Sequence, residues 1–230
     1  GAAALTLYRY MFVTFFNKSV LSEVTDTNLY EIVNQGKWTL DYQHELASKF
    51  FVDLNGNGQS DATDRYGFVC TNMAYIDAYW SSCQLPILVK DESNAYVYSV
   101  DLEKMSAAVD KILNLWYNCE GSHIFESVSD AENQLIGTRA ISERRTATTT
   151  LRLVSVETDE FRNMTDRYGI IPIPKMDETQ TGYQTFLHDQ FTAFGIVSTV
   201  KESRLQMMGA YIEAMAEESN KSLVTTYTAL

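Results

Sequence analysis

Residues 53–67 read DLNGNGQSDATDRYG, and how this stretch is folded decides what the segments on either side of it are. Acidic and amide side chains recur at alternate positions around glycines, and no large apolar side chain stands between Leu54 and Tyr66. A twelve-residue calcium loop needs side-chain oxygens at its first, third, fifth, ninth and twelfth positions, a backbone carbonyl at the seventh and Gly at the sixth, where the chain turns sharply. Counted from Asp53, these are Asp53, Asn55, Asn57, Asp61 and Asp64, the carbonyl of Gln59, and Gly58. The one departure is Asp in place of Glu at the last position. A polar turn matching the pattern by chance is the competing reading. In a calcium sensor a second helix leaves the loop, whereas here Tyr66-Gly67-Phe68-Val69 reads as a strand. The stretch is therefore expected to be a structural clip at a helix-to-strand corner. Single loops of this kind hold calcium at about 0.1–1 mM, which suits an extracellular setting.

Composition bounds the rest. The 230 residues, 45% of them hydrophobic, can bury a substantial core. A net charge of -12, with 18 basic residues scattered among 30 acidic ones, argues against nucleic acid as a partner. No apolar run approaches the roughly 20 residues a membrane span needs, so the piece reads as soluble. The start Gly1-Ala2-Ala3-Ala4 lacks an initiator Met and a charged leader region, and reads as a cut or a cloning scar. Cys70, Cys83 and Cys119 form no CxxC pattern. One disulfide with a free thiol and three buried thiols both remain open.

Outward from the loop, hydrophobic periodicity predicts alternating helices and strands. Residues 5–16 (LTLYRYMFVTFF) read as a buried strand, 19–25 and 29–36 as short helices, and 40–54 as a helix capped by Thr39 that runs into the loop. After the strand 66–71 come an aromatic helix at 72–83 and a turn-then-strand at 90–99. The clearest amphipathic helix covers 101–119, with Leu102, Met105, Ala108, Val109, Ile112, Leu113 and Trp116 on one side. A helix ending near Gly137, a strand from Arg139 into TATTT, a helix over 150–164 and a strand at 166–175 follow. That last strand opens with the same DRYG as residues 64–67. FTAFGIV (191–197) reads as a strand and 201–219 as a long helix. The expected class is α/β, one domain over 1–230 with a mixed sheet and helices on both faces.

With these elements placed, the order of motifs resembles the extracellular solute-binding proteins of bacterial ABC importers, in the group containing sugar binders. Phe16-Asn17-Lys18 resembles the family's Tyr/Phe-Asn-Lys motif, and Trp38-Thr39 its helix opening. The aspartate-rich loop before Tyr66-Gly67-Phe68 occurs in some members. LIGTRAI (135–141) resembles its Phe-x-x-Gly-Lys/Arg-Ala segment with Leu135 for Phe, and DRYGIIPIPK its Tyr-Gly-x-x-Pro-x-Pro-Lys stretch. The resemblance implies a periplasmic-binding-protein-like (type II) lobe, mainly the second of two, with hinge-crossing segments at 5–16 and 180–200. The family's N-terminal part, with its export signal, lipid-anchor cysteine and most of the first lobe, is missing from this pattern. It also implies a cell-surface lipoprotein or periplasmic location and the membrane permease subunits of the importer as partners.

Such proteins close two lobes on a small-molecule solute, and sugars are held by aromatic faces with planar polar groups. The candidates are Tyr10, Tyr75, Trp80, Arg144, Arg145, His188 and Gln190. Tyr75 and Trp80 follow the YGFV strand, where the family places cleft residues. Trp80 reads equally as packing, Arg144 and Arg145 as partners of nearby acids, and His188 as structural. No nucleophile elbow, HExxH, P-loop or dinucleotide motif occurs, so no catalysis is expected. A calcium-dependent adhesion module and a carbohydrate-active enzyme are the alternatives.

Overall fold

The computed structural model describes residues 5–72, 75–126, 129–190 and 193–228. The chain forms two compact units, residues 12–186 and residues 1–11 with 187–230. Both divisions fall inside the stretches 5–16 and 180–200.

In order, the larger unit holds β1 (Phe12–Asn17), α2 (Lys18–Ser22), α3 (Leu29–Asn34), α4 (Leu40–Ala47), β2 (Tyr66–Thr71), α5 (Tyr75–Ser82), β3 (Leu88–Lys90), β4 (Tyr96–Tyr98) and α6 (Leu102–Tyr117). Then come β5 (Ser122–Phe125), α7 (Asp130–Ser142), β6 (Thr146–Arg152), a 3-10 turn Leu153–Glu157, α8 (Asp159–Arg162) and β7 (Tyr168–Ile171). Five strands make one mixed sheet in the order β5-β2-β6-β1-β7. β2 runs parallel to β5 and β6, while β1 pairs antiparallel with β6 and β7. Strands β3 and β4 form a separate hairpin.

The three inner strands are buried on both faces, which is why they read as unbroken apolar and hydroxyl runs rather than alternations. The threonines of β6 fit the pleated surface through their branched shape, and the hydroxyls of Thr146, Thr148 and Thr150 find partners. Thr148 donates to the Gly67 carbonyl at 2.8 Å, Thr146 to the Thr148 carbonyl at 2.7 Å, and Thr150 meets the Tyr79 hydroxyl at 2.9 Å. Thr150 faces Tyr79 of α5, whereas the next residue, Leu151, lies where a Cβ on Gly137 of α7 would strike it. Adjacent strand residues point to opposite sides, so α5 and α7 cover opposite faces of the sheet.

The corner after α4 is set by two glycines. A Cβ on Gly67 would lie 2.4 Å from the Ala47 backbone, and one on Gly121 would lie 1.8 Å from the Ala47 carbonyl oxygen. Only glycine lets the end of α4 rest on the beginnings of β2 and β5. Elsewhere the motifs of the sequence tie to one another. Trp38 is buried and donates through Nε1 to the Pro172 carbonyl at 2.9 Å, and Leu40 N–H donates to the Lys175 carbonyl at 2.9 Å. The Trp-Thr helix opening is thereby fastened to the Pro-x-Pro-Lys stretch.

In the smaller unit, α1 (Leu5–Arg9) precedes a bridge between Met11 and Leu187, and His188 N–H donates to the Tyr10 carbonyl at 3.1 Å. α9 (Glu202–Ser219) follows, then a π-helical turn Asn220–Val224 and α10 (Thr225–Thr228). α9 buries none of its residues. Among the described residues no helix is long and apolar enough to cross a membrane.

Several sequence expectations are corrected. The strand predicted over 5–16 begins only at Phe12, where pairing with β6 begins, and Leu5–Arg9 is helical. α4 stops at Ala47 instead of reaching the loop, because the glycine contact turns the chain there. Gly137 does not end α7; it lies inside it as the point of close approach to Leu151. Arg139–Ser142, predicted to begin a strand, complete that helix and bury Ala140 and Ile141. Leu151 and Arg152 finish β6 where a helix was expected. On α6, Leu102 (68% exposed), Val109 and Leu113 face outward, and Leu115 joins Ala108, Ile112 and Trp116 inside. Residues 193–197 form no strand, and 191–192 lie outside the described residues. All three cysteines are free thiols, buried from solvent.

Replacing Gly121 by Ala is expected to lower unfolding free energy by about 1–3 kcal/mol or more, whereas Gly195→Ala, with nothing within 4 Å of the added carbon, leaves it nearly unchanged. Urea unfolding followed by circular dichroism checks both.

Candidate functional site

The polar loop is closed at its base by paired backbone bonds between Val52 and Arg65, at 2.9 and 3.0 Å. Asp53 then organises the first turn: Oδ1 accepts from Gly56 N–H at 2.7 Å and Oδ2 from Gly58 N–H at 2.8 Å. Gly58 has φ of +72°, the left-handed backbone that the sixth position of such a loop demands. Asn55 and Asn57 accept from the amides two residues on, at 2.9 and 2.7 Å. Their Nδ2 groups both donate to Asp61 Oδ2, at 3.0 and 2.8 Å. Hydrogen bonds from Thr63, and then from Asn57 and Asn55, hold the Asp61 carboxyl well below the usual carboxylate range. Asp64 is 1% exposed and accepts from the Leu54 and Asp61 N–H groups at 3.1 and 3.0 Å. The Tyr66 hydroxyl donates to the Asp61 carbonyl at 2.7 Å, joining the loop to β2.

The donor set is all oxygen, as a hard cation such as calcium requires. Among the described residues, however, no three His, Cys, Asp or Glu side chains stand together as a metal-holding group. The loop oxygens are engaged with the loop's own N–H groups.

The solute candidates separate into different surroundings. Tyr75 is in the core, edge-on to Phe12 at 5.4 Å. Trp80, on the same helix, is half-buried and donates to the Leu85 carbonyl at 3.0 Å. Arg144 binds both oxygens of Asp166 at 3.1 Å and pairs with Glu23. Arg145 bonds Glu143 at 2.9 Å and the Ala62 carbonyl at 2.8 Å. Tyr10 and His188 come together, rings 6.3 Å apart, with His188 Nδ1 3.0 Å from Asp189, and Gln190 is exposed.

Arg144 sits in a network that sequence reading did not identify. Asn17, fully buried, caps α2 through Ser19 and Val20 N–H and donates to the Ile141 carbonyl and to Asp166 Oδ2. Burial draws the Asp166 carboxyl upward, but hydrogen bonds from Asn17 and Ser19 and the Arg144 charge outweigh it and leave the group below the usual carboxylate range. Arg65 completes the set by bonding Glu23 and the Arg144 carbonyl, both at 2.8 Å. The signals available in sequence were the Phe16-Asn17-Lys18 motif and the repeated DRYG, whose Asp64 and Asp166 each anchor the entry to the strand that follows.

A solved structure shares this architecture. The maltose/maltodextrin-binding domain MalE of Bdellovibrio bacteriovorus, bound to maltotriose, superposes with a TM-score of 0.50 at 17% identity, over 77% of this chain and 40% of its own. The fold is a type II periplasmic-binding-protein-like lobe. The GacH receptor of Streptomyces glaucescens, studied unliganded and with acarbose, gives 0.47 at 15% identity, over 76% and 39%. The chain thus spans about two fifths of the length of these structures. No family model matches the chain, and no curated protein does.

Arg144 has φ of +61°, a conformation that costs a side-chain-bearing residue about 1–2 kcal/mol. Arg144→Ala loses the ion pairs and keeps the strain, while Arg144→Gly loses both. The glycine variant is expected to be the more stable by about 1 kcal/mol in urea unfolding.

Proposed function

We propose that this chain is the greater part of the second lobe of an exported solute-binding protein that captures a carbohydrate for an ABC importer. The sugar is held by closure of two lobes and handed unchanged to membrane permease subunits, with a lipid-anchored or periplasmic location. The observation that carries this reading is the type II lobe fold, shared with a maltotriose-bound binding protein. The double division of the chain, at 11/12 and 186/187, adds support, because segments far apart in sequence leave the larger unit at 5–16 and 180–200, as hinge crossings do. Of the candidates, Tyr10, His188 and Gln190 belong to the smaller unit. Trp80 offers a half-buried ring on the larger one, and Tyr75, Arg144 and Arg145 support the frame.

Within this reading the loop is a structural calcium clip. Asp53, Asn55, Asn57, Asp61 and Asp64, with the Gln59 carbonyl, would hold the ion. A bound divalent cation supplies charge that offsets three carboxylates at the corner before β2. What supports it is the all-oxygen donor set with Gly58 in the left-handed region.

Thermal-shift and calorimetric titration of the chain with mono- and oligosaccharides, peptides and polyols tests the capture reading. At least one sugar is expected to raise the melting temperature without being cleaved. Stabilisation by peptides alone refutes the carbohydrate class, and release of reducing ends refutes capture without chemistry.

For the clip, 10 mM calcium is expected to stabilise the chelator-treated protein by about 1.4–2.7 kcal/mol, given affinities of about 0.1–1 mM. An Asp53→Ala, Asp64→Ala variant should lose that response. If calcium and chelator leave the melting temperature of the parent protein unchanged, the loop is only a hydrogen-bonded turn.

A further inference from the structure

The hairpin β3–β4 stands apart from the main sheet and carries tyrosines in unusual exposure. Its register places Leu88 opposite Tyr98 and Lys90 opposite Tyr96, so these four share one face. Tyr96 is 70% and Tyr98 82% exposed, although tyrosine rings normally cover some apolar neighbour. Lys90 Nζ lies 5.4 Å from the Tyr96 ring centre. Where β4 leads into α6 a cavity of about 480 Å³ opens, lined among others by Gln84, Pro86, Tyr98, Ser99, Asp101 and Lys104.

The backbone around this cavity is held in place. Gln84 adopts φ of +54°, and it is fixed by its Nε2 donating to the Thr181 carbonyl at 3.1 Å and by Lys104 Nζ donating to its own carbonyl at 3.0 Å. Asp101 caps α6, with Oδ1 accepting from Lys104 N–H at 2.9 Å. These bonds leave Asp101 Oδ2 as an acceptor, two further hydrogens of the Lys104 ammonium as donors, and the Ser99 hydroxyl as either. One carboxylate and one ammonium balance, so neither an anion nor a cation is favoured. An exposed ring beside balanced donors and acceptors matches a neutral ligand with an apolar ring face and a hydroxylated rim.

We propose that Tyr98, Ser99, Asp101 and Lys104 form a glycan-binding site contained wholly within residues 12–186. The class of ligand rests on the carbohydrate reading above. A sugar ring stacks on Tyr98 and directs its hydroxyls to Asp101 and Lys104. Tyr96 stands two residues back on the same strand face, about 7 Å away by strand rise, and carries a second unit. The site therefore prefers an oligosaccharide to a monosaccharide.

The test uses the full chain with maltotriose and cellotriose as probes, read by calorimetry and by amide chemical shifts. At least one trisaccharide should shift the amides of Tyr96, Tyr98, Ser99, Asp101 and Lys104. Tyr98→Ala should weaken its affinity about tenfold with an unchanged melting temperature, and Tyr98→Phe should retain it. Binding that shifts other amides and ignores Tyr98→Ala overturns this site while leaving sugar capture standing. No binding of either trisaccharide to the parent chain overturns this site and weighs against the capture reading as well. Self-association removed by Tyr98→Ala, with no sugar effect, makes the hairpin a protein contact and overturns the proposal.

Discussion

The passage of the end of α4 over Gly67 and Gly121 is the constraint on which the rest of the larger unit depends. With a Cβ excluded at both positions, the carbonyl of Ala47 sits against the first residues of two parallel strands. Gly67 and Phe68 N–H both donate to the Gly121 carbonyl, at 2.8 and 3.0 Å, so the same spot opens the β2–β5 ladder. The helix therefore ends there, and the chain must spend residues 48–65 returning to the sheet. The polar loop is the consequence, and its closure by Val52 and Arg65 delivers Tyr66 to the strand in register with Arg145 and Thr146.

A second centre, polar where the first is steric, ties together the end of β1, the start of α2 and the last turn of α7. Asn17 ends β1, caps α2 and reaches the last turn of α7, and Asp166 and Arg144 close the network beside it. Buried polar groups of this sort specify one arrangement because every alternative leaves a donor or acceptor without a partner. Arg144 accepts an unfavourable backbone angle as part of that arrangement. Arg144 is tied into that network, and Arg145 beside it bonds Glu143 and the Ala62 carbonyl.

Much of the fold was legible because the inner strands are buried on both sides and their composition says so without ambiguity. FVTFFN, YGFVCT and TATTT each lie in a strand, and caps at Thr39, Asp101 and Ser129 mark helix starts where side-chain oxygens stand. What failed were positions whose outcome is decided by a distant partner. Gly137 looks like a helix stop locally but is a contact point for Leu151, and Leu5–Arg9 has strand composition but no strand to pair with. The site was less legible than the fold. The loop's internal order follows from local spacing, whereas Tyr75, Arg144 and Arg145 owe their roles to residues many tens of positions away. Tyr98 and Lys104 drew no attention, because an exposed ring beside a helix start has no distinctive sequence pattern.

The burial of the three thiols has a consequence of its own. Removal from water pushes the Cys83 thiol up to about 11 and the Cys70 thiol well beyond its ordinary value, so neither forms appreciable thiolate near neutrality. In the folded molecule Cys70 and Cys83 are thus expected to react slowly with alkylating dyes. Reaction at these two sulfurs becomes a clock for transient opening of the interior, built into the protein without any added label.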